Sequence, residues 1–182
     1  MKHPLRLLPN DCGSAAVEMA LVAPFLLVIL FGSVELGNYF MNEHTLVKAV
    51  RDGARFAARQ NFTNYTMCSG EPGGTVSADT RNVVMNGYLS GGSTITPNVS
   101  TDDIQLDVSC KATADGTSGG EEMLGIYRSR FGGTCNGTTA DGCAQVVTVT
   151  AAVPYRSILG SLGFSGLGLT LNASSQAAVT GI

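Results

Sequence analysis

The apolar positions fall into two regimes within one uninterrupted stretch. From Gly13 to about Phe62 there is no strong breaker. Met19 to Val34 contains no charged residue, and counted from Gly13 the only charge before Glu35 is Glu18. A helix rises about 1.5 Å per residue, so roughly 20 such residues cross a hydrocarbon core of about 30 Å. In lipid a helix satisfies its own backbone hydrogen bonds, which makes helix the default state there. Beyond Asn38 the run becomes amphipathic. Phe40, Val47, Val50, Ala54, Ala57 and Ala58 form a broken apolar stripe, while Arg51, Arg55 and Arg59 recur every four residues as a basic one. The pattern predicts one long helix, membrane-embedded in its first half and water-facing in its second. Propensity alone does not hold such a helix together in water, so its apolar side must bury against a domain. The arginine stripe is either a solvated face or a docking stripe for acidic groups of another subunit or for lipid headgroups. Gly53 leaves room for a close approach to the helix backbone.

The period changes downstream. Thr63 to Gly74 is irregular. Ser77 to Leu89 reads as a short helix, with Ser77 as its cap and Val84 and Tyr88 on one face. Asp103 to Cys110 alternates Ile104, Leu106, Val108 and Cys110 with polar residues, the period of a half-buried strand. Cys143 to Val153 is a second strand, rich in Val and Thr and stopped by Pro154. Leu167 to Ala173 is a third, with Leu167, Leu169, Leu171 and Ala173 on one side. Glu121 to Arg130 fits a helical turn or a strand equally. Ile158 to Gly166 reads as a Gly-rich apolar loop. Three strands with an apolar face suffice to cover the outer half of a long helix. The expected fold class is α+β, a long N-terminal transmembrane helix packed on a C-terminal antiparallel sheet.

Composition narrows the function. The 182 residues carry a net charge of −3 with only 14% charged residues, so no basic face advertises nucleic acid. The two histidines, His3 and His44, lie too far apart to act together. There is no GxSxG, no HExxH and no phosphate loop, and no enzyme activity or cofactor is expected. Five cysteines are present. Cys12 falls before the apolar run. Cys68, Cys110, Cys135 and Cys143 follow it, an even number that in an oxidising compartment suggests two disulfides. Of the three connectivities, Cys135–Cys143 with Cys68–Cys110 is favoured, because the first closes the loop CNGTTADGC. A zinc site is the rival reading, but no C-x-x-C spacing or nearby histidine supports it, and no metal is expected. Lys2 and Arg6 before the span balance Lys48, Arg51 and Arg55 after it, so the positive-inside rule does not choose a side.

Glu18 needs a reason, because an acid within an apolar segment costs a few kcal/mol. It either sits in the first helical turns, where the dipole and headgroup water tolerate it, or meets a cationic partner from another chain. The apolar core is not followed by an A-x-A-like site, so the segment is expected to stay in the mature protein. Pro24 removes one intrahelical hydrogen bond and invites a bend.

Gly13-Ser14-Ala15-Ala16-Val17-Glu18-Met19 resembles the processing site of type IV pilin-like proteins, with glycine at −1 and an acid at +5. The longer stretch resembles the TadE-like family, minor pseudopilins of the tight-adherence (Tad) pilus. The resemblance rests on Ala16-Val17-Glu18, Pro24, Gly32 to Glu35, and the Gly53-Ala54-Arg55 motif within Ala49 to Arg55. It covers about the first third of the chain. It implies a prepilin-type leader over 1–13, cut between Gly13 and Ser14 by a prepilin peptidase. A transmembrane helix over 14–36, an amphipathic extension over 37–62 and an extracytoplasmic β-rich domain over 63–182 would follow. It further implies Glu18 and Pro24 as subunit-assembly residues, other pilin and pseudopilin subunits as partners, and the bacterial inner membrane as location. With the cysteines it places the C-terminal domain outside the cytoplasm. The function expected is filament priming, initiation or capping. The alternative is a single-span periplasmic or surface module whose β-domain binds a ligand.

Overall fold

A computed structural model describes residues 12–95, 98–112, 143–162 and 168–181. Its principal element is helix α1, Cys12–Ala58, whose 47 residues run about 70 Å. It begins one residue before the glycine where the polar leader was expected to end, and it stops four residues short of Phe62. Pro24 lies inside it without ending it.

The second helix, α2, spans Val76–Asn86. Ser77 does not cap it. Thr75 holds the cap position, and the Ser77 hydroxyl donates to the Pro72 carbonyl at 2.9 Å instead. Gly87 ends α2 with φ 76°, the left-handed conformation that favours glycine at this place. The helix therefore stops before Tyr88, which is exposed, whereas Val84 is buried.

Strands β1 (Ile104–Ala112), β2 (Cys143–Pro154) and β3 (Thr170–Ala178) form one antiparallel sheet in the order β1-β2-β3. Leu106 pairs with Val149, Val108 with Val147, and Ala151 with Ala173. Because side chains alternate across a strand, this register sends Ile104, Leu106, Val108, Val147, Val149, Ala151, Val153, Leu171 and Ala173 to one face, where all are buried. The third strand starts three residues later than its alternation suggests. Leu169 lies outside it and is exposed, and its alternating partner Leu171 is the first apolar residue inside. The region 159–162 is a 3-10 turn rather than plain loop. Glu121 to Arg130 lies outside the described residues.

The second half of α1 covers the sheet's apolar face, resting on β3 and β2, and α2 packs against its flank. Leu46, Ala49, Val50, Ala54, Ala57 and Ala58 are its buried positions. Phe40, assigned to the stripe by spacing, points out and is 57% exposed, while Tyr39 packs on the core instead. At Gly53 an added Cβ would stand 2.3 Å from Val84 Cγ2, so α2 approaches the backbone as closely as a missing side chain permits. The end of α1 is closed by the end of the described chain. The Ala58 carbonyl accepts from the Thr180 amide at 2.8 Å, which satisfies one of the carbonyls a helix leaves open. Tyr65 lies beneath this closure, 1% exposed, its hydroxyl donating to the Ala57 carbonyl. Burial pushes that phenol up to about 12.

Candidate functional site: an apolar rod clamped to a sheet

Residues 13–34 of α1 stand clear of the sheet. Every one of them is exposed except Ala23, which is half-buried. Val17, Met19, Leu21, Phe25, Val28 and Ile29 are each more than 60% exposed. A helix this apolar on every side is stable only with an apolar solvent around it. The segment is long and apolar enough for single-pass membrane anchoring. Gly13 and Ser14 lie exposed in its first turn and Glu18 on its second, also exposed. The structure does not bring Glu18 together with the arginine stripe, which is at the other end of the helix. Arg51 and Arg55 on α1, and Arg59 just beyond its end, are all exposed.

The rod meets the head at Glu35, the first charge after the apolar run. Its Oε1 accepts from the Tyr155 hydroxyl at 2.8 Å and from the Ile158 amide at 3.3 Å, and its Oε2 accepts from the Leu159 amide at 3.1 Å. Three donors on one carboxylate hold the chain just after β2 against the helix. Asn38, one turn on, donates its Nδ2 hydrogen to the same Tyr155 oxygen at 2.8 Å, and Asn42 in turn donates to the Asn38 carbonyl at 2.8 Å. Tyr39 stacks edge-on against Tyr155 with ring centroids 5.2 Å apart. Partial burial and the hydrogen bond to Glu35 both push the Tyr155 hydroxyl above its ordinary range. The clamp was not singled out from sequence beyond the Gly32-to-Glu35 motif. Its readable signal is an acid closing an uncharged run. Its partner, 120 positions away, has none.

The cysteines cluster at the opposite edge. Cys68 and Cys110 form a disulfide that ties the bend before α2 to the end of β1. The tie is flanked by two hydrogen bonds, the Val108 amide to the Gly70 carbonyl at 2.8 Å and the Gly70 amide to Asp107 Oδ1 at 3.0 Å. Cys143 is also disulfide-bonded, and its sulfur lies within 4.8 Å of the other two. Cys135 lies outside the described residues. Sulfurs in disulfides are poor metal ligands, since zinc takes thiolates, so this cluster is a cross-linked corner in the oxidised protein. Nearby, Glu71 pairs with Arg81, which holds the Glu71 carboxyl below its usual range, and Arg81 Nε donates to the Ile104 carbonyl at 3.2 Å.

An apolar rod continuing into a helix that lies on an antiparallel sheet is the arrangement of pilin-like proteins, and this chain has it. Residues 13–55, the rod and most of its packed continuation, match the family model described as TadE-like protein. The N-terminal helix is therefore similar to that of TadE-like proteins. No curated protein and no solved structure matches the chain.

Proposed function

We propose that this chain is a minor pseudopilin, a structural component of a Tad-type pilus that primes, initiates or caps the filament. The observation that carries the reading is the division of α1. Its second half is core to the head, whereas residues 13–34 bury almost nothing against it. Such a surface is made to be covered by something else, first lipid and then the rods of other pilin subunits. The change is feasible because one apolar environment replaces another.

In this reading residues 1–13 are a leader removed by a prepilin peptidase between Gly13 and Ser14. Residues 14–36 span the inner membrane, 37–62 extend the helix, and 63–182 form the head outside the cytoplasm, where its disulfides persist. Exposure of Gly13 and Ser14 at the start of the helix supports access by the peptidase. Glu18 then exchanges headgroup water for the α-amino group of a neighbouring subunit, which offsets the cost of a carboxylate among apolar rods. Pro24 supplies a bend for packing in the bundle. Arg51, Arg55 and Arg59 form a docking stripe for acidic groups on an adjoining subunit.

Two measurements on membrane-extracted protein test this. Intact mass should place the mature amino terminus at Ser14, and a chain that keeps Met1 to Gly13 would overturn the cleavage. Glu18→Val should insert in the membrane and keep its head folded, yet be missing from sheared filaments. Normal incorporation of that variant would remove Glu18 from assembly.

A further inference from the structure

The Glu35 clamp fixes the height of one edge of the head relative to the rod. Accepting the amides of Ile158 and Leu159, it holds these residues level with the end of the uncharged run. Ile158 and Leu169 lie at this edge, each 43% exposed, and the Tyr155 amide, donating to the Leu169 carbonyl at 2.8 Å, ties Leu169 to the clamp. The sequence from Ser157 to Leu169 carries no charge, and exposed Arg156 precedes it. On the helix, Leu36, Phe40 and Met41 are also exposed at and just above this level. The Tyr39–Tyr155 pair stands between. Apolar side chains, a pair of tyrosines and an adjacent arginine at one depth are the residues that a membrane–water boundary selects.

We propose that this edge of the head is a second membrane contact. Ile158 and Leu169 enter the headgroup–acyl boundary of the leaflet from which α1 emerges, and Arg156 lies among the lipid phosphates. The occupant is the bilayer itself, because the surface is continuous with the apolar rod: if Met19 to Val34 lie in hydrocarbon, Glu35 is at the boundary and the clamped residues must be there too. The inference rests on the reading of α1 as a membrane span. Its consequence is that the head does not swing on the helix but sits flat on the bilayer in one orientation. Insertion of this kind reaches about 5–10 Å below the headgroups.

The chain has no tryptophan, so a single one is a clean reporter. The full chain is reconstituted in phosphatidylcholine–phosphatidylglycerol vesicles that carry bromines either near the glycerol end or near the middle of the acyl chains. Four variants are compared: Ile158→Trp, Leu169→Trp, Tyr88→Trp on the exposed loop after α2, and Phe25→Trp in the rod. The expected result is strong quenching of Ile158→Trp and Leu169→Trp by the shallow bromines, deeper quenching of Phe25→Trp, and none of Tyr88→Trp. If Phe25→Trp is quenched while Ile158→Trp and Leu169→Trp are not, the second contact is overturned and the span stands. If Phe25→Trp is unquenched, the span falls and takes the contact with it. Equal quenching of Tyr88→Trp and Ile158→Trp means the head adheres over its whole surface, which also overturns a contact at this edge.

Discussion

The Tyr155 hydroxyl donates to the Glu35 carboxylate at 2.8 Å, joining the last turn of the apolar rod to the residue that follows the central strand. The contact bridges 120 positions of sequence, and the backbone amides of Ile158 and Leu159 converge on the same acid. One side chain thereby fastens this edge of the head to the rod, beyond the packing of α1 on the sheet.

Removing the phenol should loosen this joint without unfolding the head. Tyr155→Phe keeps the ring against Tyr39 and loses both the hydrogen bond to the Glu35 carboxylate and the one accepted from Asn38. Glu35→Ala loses all three acceptor contacts and should cost more. In hydrogen–deuterium exchange the peptide that holds Ile158 and Leu159 should exchange faster in Tyr155→Phe and faster still in Glu35→Ala. The amides of β1 and β2 should be unchanged. Uniform acceleration across the sheet would mean that the contact supports the whole fold rather than the joint.

At Gly53 the helix has no spare volume. Gly53→Ala gains up to about 1 kcal/mol of helix propensity but places a methyl 2.3 Å from Val84 Cγ2. Overpacking of this kind costs about 1–3 kcal/mol, so the net effect should be destabilising. Val84→Ala alone should also destabilise, by opening a cavity. Together the two changes should cost less than their sum in chemical denaturation. A strictly additive double variant would place the strain elsewhere.

The disulfide corner gives a prediction about pairing as well as stability. Cys68–Cys110 closes a loop across 42 positions, for which chain entropy allows about 4 kcal/mol at most. The double variant Cys68→Ser, Cys110→Ser should lose a large part of that in thermal unfolding. Cys68→Ser alone leaves the Cys110 thiol within 4.8 Å of the disulfide-bonded Cys143 sulfur, in reach of exchange. Non-reducing peptide mapping should then find mixed pairings in the single variant and one defined species in the double. A single pairing in both would mean the corner is too rigid for exchange.

Alkaline pH should act on Tyr65. Its phenol is raised to about 12 by burial, so the folded protein favours the neutral form. The associated stability is fully present below the ordinary phenol range near pH 10 and is lost as pH rises from there through the folded value. Tyr65 should therefore ionise about two pH units late in ultraviolet titration, and unfolding should accompany it. Tyr65→Phe should abolish the late step. It should also leave the Ala57 carbonyl without this donor, at a cost of about 1 kcal/mol below pH 9.

Much of this molecule was open to reading before folding. The uncharged run between Glu18 and Glu35 has one stable backbone state in lipid, and the alternation in Ile104–Val108 and in Cys143–Val153 admits one pleated face. Both follow from local periodicity, and the helix and strands came out of it. The errors were equally local. Ser77 looked like a cap because the residue type fits one, but its hydroxyl found the Pro72 carbonyl. Phe40 matched the helical spacing of the stripe but fell just off the face that the sheet covers. Leu169 continued the alternation of β3 one residue beyond its first paired position, Thr170 opposite Pro154.

By itself the sequence determined that there is a rod, that it is too greasy for water on every side, and that three strands share one apolar face. It could do so because these properties depend on neighbours within a turn or a pleat. Only the tertiary structure decided which half of the helix the sheet covers, that α2 lies on Gly53, and that Tyr155 reaches Glu35. Those contacts join residues tens of positions apart or more, and their energy exists only once the chain has brought the two surfaces together.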